Sequence, residues 1–237
     1  MTDWKAKRFW DKAHVVKAGD GFSVSLDNRP LMTPFKAPLV VPSQRLATWI
    51  AAEWEAQTDR IDPGTMPATR TANSAIDKVA PQKDAVADIL ADYGGSDLLC
   101  YRAEGPEGLI AAQNAAWNPL LVWAAQALDA PLHVTTGVMP VGQPDASVKR
   151  LRDRVHAMDH FALAGFHDLV SLTGSLIVGF AVASRHIDAD AGWHVARIDE
   201  DWQTAIWGED DEASTHAALK KQAFLTACRF YHLVKPD

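Results

Sequence analysis

The sequence predicts an α+β fold: a small β-rich N-terminal domain followed by a larger α-helical C-terminal domain. Three observations carry this. Apolar and polar residues alternate strand-like before residue 43, and apolar residues recur at helical spacing after it. Turn-forming Gly, Pro, Asn and Asp cluster in the first forty residues. Ser43, a favourable helix N-cap, stands where the period changes.

The strands come first. Phe22-Ser23-Val24-Ser25-Leu26 alternates as a half-buried strand does, behind the turn Gly19-Asp20-Gly21. Asp27-Asn28-Arg29-Pro30 makes a second turn into Leu31-Met32-Thr33, which stops at Pro34. Leu39-Val40-Val41 is a further extended piece closed by Pro42. Short strands joined by tight turns predict an antiparallel meander or partial barrel.

Helical stripes follow. Leu46, Trp49, Ile50 and Trp54 lie behind Ser43, Asp62-Pro63-Gly64 breaks the chain, and a second helix over 68–79 is expected to end at Pro81. The boundary is therefore set near residue 80, giving domains 1–79 and 80–237. Beyond it come Val86, Ile89, Leu90 and Tyr93, stopped by Gly94-Gly95. Leu109, Ile110, Trp117, Leu120, Leu121 and Ala124 form the next stripe, with Asn118-Pro119 either kinking a helix or starting one. Residues 131–144 read as an irregular connector. Val148, Leu151, Val155 and Met158 mark a long amphipathic helix. The apolar run 169–183 falls short of the roughly 20 residues of a membrane span and reads as a helix buried on all sides. Val195, Ile198, Trp202 and Ile206 form one more stripe, and Leu219, Phe224 and Phe230 mark the last helix.

Composition narrows the function. A net charge of −7 argues against broad attraction to nucleic acid or anionic lipid. Two cysteines, Cys100 and Cys228, exclude a disulfide framework and a zinc site built on cysteine pairs, and fit a reducing compartment. The first residues hold no long apolar stretch of a secretory signal.

Motifs for chemistry are sparse. There is no G-x-x-x-x-G-K-S/T phosphate loop, no dinucleotide-binding glycine pattern, no G-x-S-x-G elbow and no H-E-x-x-H pair. His156 and His160 lie four apart on an expected helix with Asp159 between them, and imidazoles so spaced could share a metal. A metal-dependent hydrolase using these three, with His167 further on, is the enzymatic alternative; a metal site needs a third protein ligand and a second shell, and solvated or capping histidines are the simpler reading. No catalytic residue and no cofactor is expected. Asp199-Glu200-Asp201 fans its carboxylates around a helix whose stripe includes Ile198 and Trp202, so it reads as a solvated face or a partner-binding one. The acidic run 209–212 suits the N-terminus of the last helix. Nine tryptophans divide between core packing and binding hot spots.

Several segments, in order and spread over nearly the whole chain, carry a resemblance. They are Arg8-Phe9-Trp10; Gly21-Phe22-x-Val24-x-Leu26-Asp27-x-Arg29-Pro30-Leu31-x-Thr33-Pro34; Glu53-Trp54-x-x-Gln57; Asn73-Ser74-Ala75-Ile76-Asp77; Asp97-Leu98-Leu99-Cys100-Tyr101-Arg102; Trp117-x-Pro119; and Asp199-Glu200-Asp201-Trp202-Gln203 leading to Trp207-Gly208. The sequence resembles the assembly chaperones of the ATP synthase alpha subunit. Where an acidic residue is expected between Trp117 and Pro119, this chain has Asn118. The resemblance implies a monomeric, ATP-independent chaperone that shields the apolar interface of the free alpha subunit and releases it to the beta subunit. The net charge and the short apolar runs imply no nucleic-acid partner and no membrane insertion. The resemblance also implies a bacterial cytoplasmic location, or the mitochondrial matrix for a processed eukaryotic form. Glu200 matches the family's functionally important acidic position. The partner-binding candidates are Glu200, Asp201, Trp202, Trp207 and Trp54, the last assigned mainly to packing.

Overall fold

The computed structural model describes residues 7–235. They group into two compact units: residues 7–83 with 160–165 and 229–235, and residues 84–159 with 166–228. The strands of the first unit are β1 (Ala13–Ala18), β2 (Gly21–Leu26), β3 (Arg29–Pro30) and β4 (Val40–Val41). β1 and β2 form an antiparallel hairpin with Val15 opposite Val24, and both β3 and β4 add to β2. Gly21 is needed at the sheet's tightest approach, because a Cβ there would lie 2.6 Å from the Val41 carbonyl oxygen. β1 goes beyond the sequence expectation. Leu31-Met32-Thr33 runs extended but contributes one isolated bridge, Met32 to Pro38, and no strand.

Helix α1 (Gln44–Glu55) packs on this sheet. Ser43 caps it as expected, accepting from the Leu46 N–H at 3.1 Å and donating to the Leu233 carbonyl. Leu46 and Ile50 are buried with Val24, Leu31, Leu39 and Val41 in the core of this unit. Helix α2 (Pro67–Ser74) has no side-chain cap of its own at Met66. Its cap comes from α1. Glu53, 7% exposed, accepts from the Ala68 and Thr69 N–H groups at 2.7 and 2.8 Å and from the Thr69 hydroxyl at 2.7 Å. Burial pushes its carboxyl pKa up, and these donors oppose the shift. Pro81 does not end the helical path as expected. A π-turn (Ala75–Val79) and a 3₁₀ turn (Ala80–Gln82) carry the chain into α3 (Lys83–Ala91), because proline fits the first turn of a helix, where its missing N–H is no loss.

The second unit holds most of α3, then α4 (Glu107–Ala127) and α5 (Asp145–His156). On α3 the buried side is Ala87, Leu90 and Ala91, while Ile89, expected in the stripe, is 61% exposed. Helix α4 runs unbroken through Pro119. The connector before α5 contributes β6 (Thr135–Thr136), paired in parallel with β5 (Tyr101–Arg102). The apolar run 169–183 is two helices and not one. Gly174, at φ +67°, ends α6 (His160–Thr173), and Ser175 caps α7 (Leu176–Ala183), every residue of which is buried. Gly174 adopts a left-handed conformation that other residues resist.

Asp97 anchors that buried helix. Its carboxylate is 0% exposed and accepts from the Ser175 hydroxyl at 2.8 Å, the Ile177 N–H at 2.9 Å and the Leu99 N–H at 3.0 Å. Burial pushes its pKa from the ordinary 3.8 to about 6, against the pull of these donors.

Two predictions follow from these carboxylates. Glu53→Ala strands two helix N–H groups and a hydroxyl, and should cost about 3 kcal/mol of stability by denaturant unfolding. For Asp97 the folded pKa lies above the unfolded one. The pH-dependent part of its contribution is therefore full at low pH and lost as pH rises through about 6, while its hydrogen bonds remain. Asp97→Asn cannot titrate, so its stability deficit relative to the parent should widen as pH falls from about 7 to about 4.

Candidate functional site

Helix α8 (Ala189–Ala196) opens on the Asp188 side-chain cap and leads through Arg197 into α9 (Ile198–Trp207). Gly208, at φ +91°, ends α9, and Asp210 accepts from the Ala213 N–H at 2.8 Å at the start of α10 (Asp211–Val234). The expected acidic capping of the last helix is thus present.

Helix α9 has no buried residue. The stripe expected there is only partly inward: Ile198 and Trp202 are half-buried, whereas Ile206 is 55% exposed. Trp207 at the helix end is 84% exposed, and Leu219 on α10 is also exposed rather than packed. A groove of about 460 Å³ opens between α8, α9 and the start of α10, bounded by Trp193, Arg197, Asp201, Thr204, Trp207 and Ala217.

The charges around the groove are organised by Arg197, which the sequence reading did not single out. Its guanidinium lies 5.6 Å over the Trp193 ring, 3.4 Å from Asp201 and 4.0 Å from Glu200. His194 stands 3.6 Å from the other Asp201 oxygen, and Lys221 pairs with Asp190 at 2.7 Å. Asp201 is therefore engaged, while Glu200 keeps only a long contact and faces solvent. Asp199 turns the other way, accepting from the Gln113 side-chain amide on α4 at 2.6 Å. The Trp202 ring also turns toward α4, and its buried Nε1–H has no hydrogen-bond partner.

The structure thus brings four sequence candidates, Glu200, Asp201, Trp202 and Trp207, onto one short surface helix. Trp54 is elsewhere, half-buried on α1 with its ring 5.2 Å from that of buried Trp10. The surface on α9 combines carboxylates, a paired guanidinium and an exposed indole.

The expected histidine pair does not form on one helix. His156 is the last residue of α5 and His160 the first of α6, so the helical i,i+4 geometry that would align them is lost. His156 instead sits 2.9 Å from Asp88, which also pairs with Arg152 at 2.8 Å. No group of three or more potential metal ligands occurs among the described residues. No helix there is long and apolar enough to cross a membrane.

Several of the matched segments prove to be hydrogen-bonding clamps. Thr33 donates to Asp77 at 2.7 Å, joining two of them. Gln57 donates to the Glu53 carbonyl and to Thr65 and accepts from the Asp62 N–H. Arg8 donates to the Trp10, Asp11, Glu55 and Gln57 carbonyls. Buried Arg102 lies over Trp117 at 5.1 Å and donates to Asn114 and Asn118, so Asn118 serves that guanidinium with an amide oxygen where a carboxylate was expected. Trp117 in turn donates to the Val195 carbonyl at 2.8 Å, tying α4 to α8.

Comparison with known proteins identifies the family. Residues 7–125 match the family model for ATP12 chaperone protein. Crystallised Atp12 from Paracoccus denitrificans is 51% identical, with a TM-score of 0.95 over 98% of this chain and 100% of that one. An aspartate-to-lysine mutant of the same organism's Atp12p superposes with a TM-score of 0.96 at 50% identity, covering 99% and 100% of the two chains. Protein atp12, mitochondrial, of Schizosaccharomyces pombe is 25% identical over 94% of this chain and 82% of its own length. The chain belongs to the ATP12 chaperone family.

Trp54 is assigned to packing. Trp54→Arg should lower the unfolding temperature, because it removes the indole packed on Trp10 and puts a charge without a partner in its half-buried place. Normal stability with lost binding would instead make Trp54 a contact residue.

Proposed function

We propose that the chain binds the free alpha subunit of the F-type ATP synthase catalytic head, shields its apolar subunit interface and yields it to the beta subunit without ATP. As a family member it is a chaperone of ATP synthase assembly; the alpha subunit is the client this reading adds. An unassembled ring subunit exposes the apolar surface that its neighbours later cover, and such surface aggregates unless masked. The observation that carries the reading is α9: a helix without one buried residue, bearing Glu200, Ile206 and Trp207 outward in a chain of this family. An isoleucine and a tryptophan left side by side in solvent at the end of such a helix suit a surface that a partner covers. Glu200 is the contact carboxylate, and the exchange takes place in the bacterial cytoplasm, or in the mitochondrial matrix for a processed eukaryotic form, with the chain acting as a monomer.

Charge reversal at Glu200 tests this. Glu200 is exposed, so Glu200→Lys should fold with an unchanged melting temperature and fail to hold purified alpha subunit in solution. Full retention of the alpha subunit by that variant would overturn the assignment.

A further inference from the structure

No residue of α9 is fully buried, and its apolar contact with the fold is limited to half-buried Ile198 and Trp202. Two points of attachment to α4 stand out. The first is polar. Gln113 on α4 is 1% exposed, and its side-chain oxygen accepts from the Ala103 N–H at 2.8 Å, which fixes the amide so that its nitrogen faces α9. That nitrogen donates to Asp199 at 2.6 Å across 86 residues of sequence. A buried amide held from both ends has one orientation, and a carboxylate acceptor makes the bond one of the stronger kinds.

The second point is steric. The Trp202 ring lies over Gly108 in the first turn of α4, so close that a Cβ on Gly108 would meet the ring edge at 2.5 Å. No side chain fits there unless the indole moves. Asp199 and Trp202 are three apart and share one side of α9, and Glu200 falls between them in sequence, directed elsewhere. The two attachments therefore set the rotation of the helix about its axis, and with it the direction in which Glu200 and Trp207 point.

We propose that Gln113 and Gly108 are the positioning residues of the client-binding face, holding α9 in the rotation that presents Glu200. They act through the helix and do not touch the client. The inference rests on the reading of α9 as that face.

The test exploits the polarity of the Gln113–Asp199 bond, using the full chain and purified alpha subunit as probe. Gln113→Glu keeps the acceptor for the Ala103 N–H but sets two carboxylates against each other. It should weaken alpha-subunit binding about tenfold or more. Adding Asp199→Asn restores a donor–acceptor pair of reversed polarity at the original net charge, and should return the affinity to within about threefold of the parent. Gln113→Glu that folds and binds like the parent, while Glu200→Lys does not bind, overturns the positioning role. So does a double variant that folds yet stays as weak as the single one, since a lost bond would then not be the cause. If Glu200→Lys also binds normally, it is the α9 reading that fails, and the two failures are distinguished. Should Gln113→Glu not fold, Gly108→Ala applies the same test through the Trp202 ring. It should weaken binding about tenfold, and unchanged binding overturns the proposal.

Discussion

The Asp97 carboxylate is the interaction on which the helical unit depends. It has no exposure to solvent, and it gathers the Ser175 hydroxyl with the Ile177 and Leu99 N–H groups at the point where α7 begins. A helix buried on all sides cannot leave its first N–H groups to water, so they must find acceptors within the protein. Ser175 caps Val178 and Asp97 serves Ile177, leaving α7 free to bury all eight residues. The negative charge also lies at the positive end of the helix, where it offsets part of the cost of burial. Within the N-terminal unit the same device recurs: Glu53 caps α2 from α1, and Asp77 holds the Thr33 hydroxyl and the Phe35 N–H.

The contrast between α7 and α9 separates stability from function. One helix is wholly buried and pinned by a carboxylate; the other has no buried residue and is attached through the Gln113 amide and the Trp202 ring. Exposed Ile206 and Trp207 add nothing to the isolated fold, where burying them would contribute about 2 kcal/mol each. That gain becomes available only against a partner. A chaperone that must later release its client gains from a small anchor of this sort, because a few groups on a short helix can be displaced by a competing subunit with a larger complementary surface.

Much of the fold was legible in the sequence. The alternation in 22–26 became β2, Ser43 became the cap of α1, and the acidic run before α10 supplied Asp210. β1 was not legible because its half-exposed Val15-Val16 pair breaks the alternation. The break at Gly174-Ser175 was hidden because the run stays apolar across it, and periodicity says little once α7 is buried on every side. Ile89, Ile206 and Leu219 fall at helical spacing yet face outward, because spacing identifies an apolar position without saying what covers it. At the site, Glu200 and Trp207 could be named from the sequence, whereas Gln113 and Gly108 could not. Their roles exist only through contacts to residues some ninety positions away, and no local pattern encodes those. His156 and His160 show the converse error, a spacing read as one helix where the chain turns between two.

The central claim is that this chain is a temporary cover for the alpha subunit and not a lasting component of the assembly. Its most direct measurement is an exchange followed by size-exclusion chromatography. The chain should co-elute with purified alpha subunit, and on addition of beta subunit it should return to its free elution volume while alpha and beta move together into a larger species. Failure to co-elute with alpha, or persistence of the chain in the alpha–beta species, would contradict the account.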